Sequence, residues 1–332
     1  MATADLHKRL LSKSGKEGRL PAESDRGYLQ ISQWGDHLAT NEGYVHWSNA
    51  PLSIATVFYY LDVMTMSHIA DVLGHAQDAK RYRDLAEKIN AAYHERFFDP
   101  VFCRYDIGIQ STQAWPLAFG MVLPEHRERV QRELAGTIGT RQRRLTTGYT
   151  STRFAIQALA DMGRNDIVWK LATQTTYPSW GYMLRLNRTS ACERWDGEGG
   201  SFNHAALCAA IDEWFYSGLA GIRPDDSAPG YERIIFKPFM PTELPWAQAS
   251  IRTLRGMIRS AWRRVGNVIH LDIEVPANST GVVHIPCADA SRILESDRTA
   301  AEADGVVSVR AGEKESAIEV GSGSYRFTFP AT

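Results

Sequence analysis

The chain has 332 residues, of which 44% are hydrophobic, and 37 Lys and Arg balance 38 Asp and Glu. This length is enough for one large domain or two ordinary ones, each with its own core. The balanced charge argues against a nucleic-acid binder, which usually carries a basic surplus. No apolar run approaches the roughly 18 residues of a membrane-spanning helix.

The cysteines and the N-terminus indicate the cellular compartment and whether a metal cofactor is expected. Four scattered cysteines show no spacing typical of a disulfide framework or a zinc site. The first residues are charged and lack the apolar segment of a secretory signal. We therefore expect a cytoplasmic protein with reduced thiols, without a metal or another cofactor, and without a membrane or nucleic-acid partner.

A polar lead-in, residues 1–30, precedes a helical region that extends to residue 223. Seven helices are predicted: Leu52–Leu73, Asp78–Phe97, Thr112–Val122, Glu125–Ile138, Ser151–Met162, Asp166–Gln174 and Phe202–Ala220. The first is apolar almost all round, which predicts burial on most sides, whereas the second is amphipathic. Such alternation is typical of two concentric helical layers, as in an α/α toroid or an α-solenoid. The absence of a fixed-period repeat in the sequence favours the toroid.

From residue 224 to 332 the hydrophobic period falls to two. Eight short strands are predicted: Arg233–Phe236, Ala249–Leu254, Met257–Arg263, Val268–Val275, Gly281–Ile285, Val306–Arg310, Ala317–Val320 and Ser324–Phe329. Turn residues separate them, a pattern that favours an antiparallel β-sandwich of the jelly-roll kind. The domain predictions are thus 1–30, 31–223 and 224–332.

Residues 177–214 carry the chemistry. This stretch contains six large aromatic residues: Tyr177, Trp180, Tyr182, Trp195, Phe202 and Trp214. It also places Glu193 and Asp196 in a glycine-rich loop, followed by His204. Aromatic rings pack against the C–H face of a sugar, and carboxyl groups perform acid–base chemistry on it. The stretch therefore indicates glycoside hydrolysis or carbohydrate binding.

Each candidate also has a structural interpretation. Glu193 would pair with Arg194 or Arg185, and Asp36 would cap a turn or a helix. Three ring-bearing residues would simply fill space in the fold: Trp180, Trp195 and His204. Composition alone does not decide between these interpretations and a site.

Several motifs resemble those of the α-L-rhamnosidase glycoside hydrolase family of bacteria and fungi. They are Leu-Thr-Thr-Gly-Tyr (145–149), Tyr-Pro-Ser-Trp-Gly-Tyr-Met (177–183), Glu-Arg-Trp-Asp-Gly (193–197), Ser-Phe-Asn-His (201–204), Pro-Gly-Tyr (229–231), Ser-Ala-Trp-Arg-Arg (260–264) and Val-Pro-Ala-Asn-Ser-Thr (275–280). Weaker similarity reaches back to Trp-Gly-Asp at 34–36. The resemblance implies an (α/α)6 barrel followed by a β-sandwich.

The same resemblance implies inverting hydrolysis of terminal α-L-rhamnosides by two carboxyl groups without a metal. Glu193 matches the expected base, and His204 matches a ligand of the sugar hydroxyls. Trp180 and Trp195 would wall the subsite, and Asp36 would lie beside the same sugar.

Two departures concern the acid and the barrel. The family's general acid lies in an earlier acidic segment that is not found here, so Asp36, Glu42 or a partner chain would have to supply the proton. Seven helices are too few for a complete (α/α)6 barrel, so we expect a partial one. Its exposed inner helices predict a homo-oligomer.

Two alternatives to a rhamnosidase stay open. One is a degenerate remnant that binds rhamnose or another carbohydrate without turnover. The other is a polysaccharide lyase of the α/α-toroid type. Its charge-neutralising and basic groups would come from four residues of this region: Arg194, Asn203, His204 and Tyr182.

Overall fold

The computed structural model describes residues 28–29, 35–40 and 53–331, without the side chains of 207–209. The lead-in 1–30 therefore lies almost wholly outside the described residues, as does Glu42. The chain forms two compact units, of which the first ends at Ile211 and the second begins at Asp212. The predicted boundary at residues 223 and 224 stays a prediction.

All seven predicted helices are present among the described residues. One further short helix, Trp180–Arg185, was not predicted. The α-helices are α1 (Ile54–Val72), α2 (Ala76–Phe97), α3 (Gln110–Ala118), α4 (Pro124–Thr140), α5 (Tyr149–Asp161), α6 (Asn165–Ala172), α7 (Trp180–Arg185) and α8 (Ala205–Trp214). A π-helical turn, Phe215–Leu219, follows α8. A two-stranded hairpin, β1 (Phe98–Asp99) and β2 (Arg104–Tyr105), separates α2 from α3.

The predicted alternation of buried and amphipathic helices is clear in α2 to α6. Residues 110–117 of α3 are all buried, and α3 packs against α4 and α5. By contrast, α2 and α4 bury single stripes at helical spacing. None of the described helices is long and apolar enough to cross a membrane.

The prediction for the first helix was wrong in one respect. Helix α1 is not buried on most sides: it packs on α2 through one face that includes Val63 and Ala70. Met66, Ile69 and Val72 are exposed. An apolar sequence shows which side chains avoid water, but it does not show whether this chain provides enough partners to cover them.

The second unit is a β-sandwich. Its strands are β3 (Ile222–Pro224), β4 (Arg233–Phe236), β5 (Trp246–Thr253), β6 (Gly256–Val265), β7 (Val268–Val275), β8 (Thr280–Ile285), β9 (Leu294–Glu295), β10 (Arg298–Thr299), β11 (Val306–Ala311), β12 (Ser316–Val320) and β13 (Gly323–Pro330). They form a six-stranded sheet, β10-β9-β13-β7-β6-β5, and a five-stranded sheet, β11-β12-β8-β4-β3. Inward residues of both sheets, among them Phe236, Trp262 and Phe327, share one hydrophobic core.

One strand pair departs from the predicted antiparallel pattern, because β4 and β8 run parallel. Parallel neighbours need a long crossover connection, and here β5, β6 and β7 lie between the two strands in sequence. All other pairs of the two large sheets are antiparallel among the described residues.

Candidate functional site

The loop that carries Glu193 is closed by backbone hydrogen bonds. The Glu193 N–H donates to the carbonyl of Ser201 at 2.9 Å, and the His204 N–H donates to the carbonyl of Ala191 at 2.9 Å. The Ser201 N–H donates to Glu193 Oε2 at 2.8 Å. The half-buried Glu193 carboxylate is thus fixed by its own loop through Oε2. Oε1 makes no hydrogen bond with the described residues.

A glycine makes room for this carboxylate. Gly200 has a φ of +66°, and a Cβ built there would stand 2.6 Å from Glu193 Oε2. Arg194 forms its ion pair with Asp196, at 2.6 Å, so the expected alternative of a Glu193–Arg194 pair is not the one the structure contains. The glycine-rich segment therefore brings the loop backbone close to Glu193.

The two predicted tryptophans contact each other, with ring centroids 5.1 Å apart in an edge-on arrangement. Trp195 is only 2% exposed, and its indole N–H donates to the carbonyl of Thr147 at 2.7 Å. Trp180 is half-buried and is the first residue of α7. The Ser179 hydroxyl caps this helix by accepting from the Tyr182 N–H at 2.9 Å. Trp195 is therefore the more deeply buried of the two rings.

Asp36 is buried against the segment 145–149. Its Oδ2 accepts from the Gly148 N–H at 2.8 Å. The Thr40 N–H donates to the carbonyl of Thr146 at 3.2 Å, so a second bond joins the same two segments. A Cβ on Gly148 would stand 1.9 Å from the carbonyl oxygen of His37. Only glycine allows this close approach of the two backbones.

Burial raises the pKa of Asp36 to about 7. The hydrogen bond from Gly148 and the nearby hydroxyls of Ser151 and Ser111 oppose this effect in part. Neither hydroxyl meets hydrogen-bond geometry, and Oδ1 and both Oγ atoms have no partner among the described residues. Asp36 is thus an almost inaccessible carboxyl group that holds its proton up to near-neutral pH.

An apolar cavity of about 580 Å³ opens beside this segment. The residues that line it are Gly35, His37, Ile54, Ala55, Phe58, Tyr149 and Thr150. Phe58 is held in place by Phe119 and Phe154, whose ring centroids lie 5.8 and 5.9 Å away. The His204 ring lies 5.1 Å from the Tyr149 ring, and its buried Nδ1 has no hydrogen-bond partner. Tyr149 thus connects the cavity with His204.

The structure brings together some predicted site residues through one that sequence reasoning missed. Tyr149 contacts His204, and the adjacent Thr147 binds Trp195, so the segment 145–149 joins them. Glu193, Trp180 and Trp195 do not line the cavity itself. The signal was present in the sequence, because Leu-Thr-Thr-Gly-Tyr is one of the quoted motifs. Within the described residues, no group of three or more His, Cys, Asp or Glu is arranged to hold a metal.

Comparison with protein families matches nearly the whole chain. Residues 16–219 match the family described as bacterial alpha-L-rhamnosidase 6 hairpin glycosidase domain. Residues 221–300 match the family described as bacterial alpha-L-rhamnosidase C-terminal domain. These two matches agree with the helical unit and the β-sandwich.

Individual relatives are similar over most of this chain. An alpha-L-rhamnosidase of Streptomyces avermitilis is 30% identical over 306 residues, which are 86% of this chain and 28% of the relative. The structure of the alpha-L-rhamnosidase from Dictyoglumus thermophilum superposes with a TM-score of 0.82 at 30% identity, over 93% of this chain and 35% of that one. The structure of a Streptomyces avermitilis alpha-L-rhamnosidase complexed with L-rhamnose superposes with a TM-score of 0.79 at 27% identity. The superposition covers 98% of this chain and 30% of that one.

The chain therefore spans about a third of the length of the relatives it matches. The match over residues 16–219 covers more than half of the chain and ends before the β-sandwich, which has a match of its own. The motifs around Glu193 and His204 lie inside the first match. The chain belongs to the bacterial α-L-rhamnosidase six-hairpin glycosidase family.

Proposed function

We propose that the chain takes part in the inverting hydrolysis of terminal α-L-rhamnosides, with Glu193 as the general base. The observation that carries this proposal is the Glu193 carboxylate itself. Its loop fixes Oε2 through the Ser201 N–H and leaves Oε1 without a partner among the described residues. A general base must have an oriented oxygen available to a water molecule.

Inversion needs a base and an acid on opposite faces of the sugar. In this mechanism Glu193 Oε1 takes a proton from the attacking water while the acid protonates the leaving oxygen. The two carboxyl groups stand about 6.5–9.5 Å apart so that the water fits between them. In this proposal Glu193 is the base, and a second carboxylic acid is the proton donor.

The sugar would lie against aromatic side chains. Tyr149 and Trp180 offer rings for its apolar face, and His204 offers a ring nitrogen for its hydroxyls. Trp195 would act from behind, by supporting the Trp180 ring.

The test compares three forms of the recombinant chain on an aryl α-L-rhamnoside. Glu193→Gln keeps the shape but removes the base, so we expect a rate loss of about 10²–10⁴-fold. Glu198→Gln, on the same loop, is the matched control and should keep the wild-type rate. NMR of the first product should show the β-anomer. Equal rates for wild type and Glu193→Gln would remove Glu193 from the mechanism.

A second candidate function is rhamnose binding without turnover. The Tyr149–His204 contact and the Trp180 ring would serve it equally well, because binding a sugar needs no general acid. Calorimetric titration with L-rhamnose separates the two: binding by wild type and Glu193→Gln alike, with no hydrolysis by either, would support the binder. The lyase alternative is not carried further, because the family is one of glycosidases.

Two expectations about the whole protein also stand as proposals. We propose that copies of the chain associate through the exposed face of α1, where Met66, Ile69 and Val72 meet solvent. We also propose a cytoplasmic location, which cell fractionation with an antibody against the chain would test.

A further inference from the structure

We infer that Asp36 is a positioning residue, which holds the segment 145–149 in place and does not touch the sugar or donate the proton. The inference rests on the proposed rhamnose site, because the walls that this segment positions are the walls of that site. One hydrogen bond joins the segment to the Asp36 side chain: the Gly148 N–H donates to Oδ2 at 2.8 Å.

The contact with Asp36 lies at the middle of the segment. Gly148 approaches the His37 backbone so closely that no Cβ fits between them. On the other side of the segment, the Thr146 N–H donates to Gln110 Oε1 at 2.8 Å. The segment is therefore held from two sides, by Asp36 and by Gln110.

The residues on either side of Gly148 each contact one wall of the proposed site. One wall is Trp195 with Trp180, and the other is Tyr149 with His204. Thr147 provides the carbonyl that accepts from the Trp195 indole N–H at 2.7 Å, and Trp195 packs against Trp180. Tyr149 lines the cavity and contacts the His204 ring. A shift of Gly148 therefore moves both walls together.

The surroundings of Asp36 argue against the other two roles. Only 6% of the residue is exposed, and Oδ2 is already bonded to the Gly148 N–H. Its Oδ1 is buried as well, and the hydroxyls of Ser111 and Ser151 lie near the carboxyl group. A sugar ligand or a proton donor must come within hydrogen-bond distance of the substrate, about 2.6–3.2 Å. A carboxyl group enclosed in this way can hold the backbone at Gly148 but cannot reach a substrate.

The test uses Asp36→Asn and Asp36→Ala. Asparagine keeps an oxygen for the Gly148 N–H, whereas alanine leaves that N–H without an acceptor. The indole N–H signal of Trp195, assigned by Trp195→Phe, reports the Thr147 bond by NMR without any ligand. Asp99→Ala is the control, because Asp99 also accepts backbone N–H groups, from Val101 and Phe102, in an exposed turn.

We expect Asp36→Asn to keep the Trp195 signal, the turnover rate and the L-rhamnose affinity within about 3-fold of wild type. Asp36→Ala should shift the Trp195 signal and weaken L-rhamnose binding by about 10-fold, and Asp99→Ala should do neither. A loss of turnover above about 100-fold in Asp36→Asn would overturn the inference in favour of a proton donor.

Weak binding by Asp36→Ala with an unmoved Trp195 signal would overturn it in favour of a direct sugar ligand. If Asp36→Ala does not fold, Asp36→Asn alone decides, since its expected result is retention. If wild type binds no rhamnose, the proposed function fails, while the Trp195 signal still tests the positioning role.

Discussion

The exposed loop before α8 depends on glycine at position 200 for the placement of Glu193. Gly200→Ala would put a Cβ 2.6 Å from Glu193 Oε2 at a φ of +66°. We expect the carboxylate to leave the Ser201 N–H and the rate on an aryl α-L-rhamnoside to fall by about 10-fold or more. Steady-state kinetics measure this fall.

The neighbouring glycine provides the control. Gly199 has a similar φ of +71°, but a Cβ there would meet only Arg194 Nη1, at 3.8 Å. Gly199→Ala therefore imposes the same backbone strain without the contact to Glu193. Equal losses in the two variants would mean that strain, and not the position of Glu193, sets the rate.

Asp36 makes the stability of the helical unit depend on pH. Its pKa is about 7 in the folded chain against an ordinary value of 3.8, so the folded state keeps a proton that the unfolded state releases. The stability from this group is complete below pH 3.8 and is lost as the pH rises to about 7. The polar groups around the carboxyl are the Gly148 N–H, the backbone N–H and hydroxyl of Ser151, and the hydroxyl of Ser111. Two titratable side chains lie nearby and contact each other: His37, next to Asp36 in the segment 35–40, and Tyr149, in the segment 145–149.

Asp36→Asn removes this titration. The free energy of unfolding of the variant relative to wild type should rise with pH by about 1.4 kcal/mol per unit, and by about 4 kcal/mol in all, between pH 4 and pH 7. Denaturant titrations of both proteins at several pH values measure the difference, in which the other groups cancel. A difference that does not change with pH would mean that Asp36 is not buried as described.

At the scale of elements, the short helix α7 presents Trp180 and depends on its cap. Ser179→Ala removes the hydroxyl that accepts from the Tyr182 N–H. We expect a loss of about 0.5–2 kcal/mol in the free energy of unfolding, together with weaker L-rhamnose binding. Ser179→Thr keeps a hydroxyl and should behave like wild type in both measurements. Full affinity in Ser179→Ala would show that the position of Trp180 does not depend on this cap.

The regular elements were predictable because their signals are local. The period of two placed β4 and β7 at their observed bounds, and the helical period found seven helices. The sequence did not predict α7, which has only six residues and begins directly after Pro178-Ser179. So short an element shows too little periodicity to be recognised. A four-residue strand already spans two periods of its pattern, whereas the six residues of α7 make fewer than two helical turns.

The site was predictable only in its parts. The motifs identified Glu193 and His204, but not that Tyr149 joins His204 to a cavity. The bond from Gly148 to Asp36 spans 112 positions of sequence, and the bond from Trp195 to Thr147 spans 48. No periodicity encodes contacts at such separations, so burial of Asp36 and Trp195 behind the walls emerges only from the fold.

At the scale of the whole molecule, the notable feature is that α1 exposes large apolar side chains to solvent. The side chains of Ile69, Val72 and Leu73 are 46%, 86% and 65% exposed at the C-terminal end of the helix. Large apolar side chains clustered in this way are typical of surfaces that another molecule covers. The second unit has its own closed core, formed by the two sheets of the sandwich.

This surface predicts concentration-dependent association of the purified chain. Light scattering should give a mass above the 37.1 kDa of one copy, rising with concentration. Ile69→Glu combined with Leu73→Glu places two charges on the surface, and burying an unpaired charge costs several kcal/mol, so this variant should be monomeric. Leu254→Glu, at a still more exposed leucine of the second unit, is the control and should associate like wild type. A wild-type mass of one copy at every concentration would mean that copies do not cover α1.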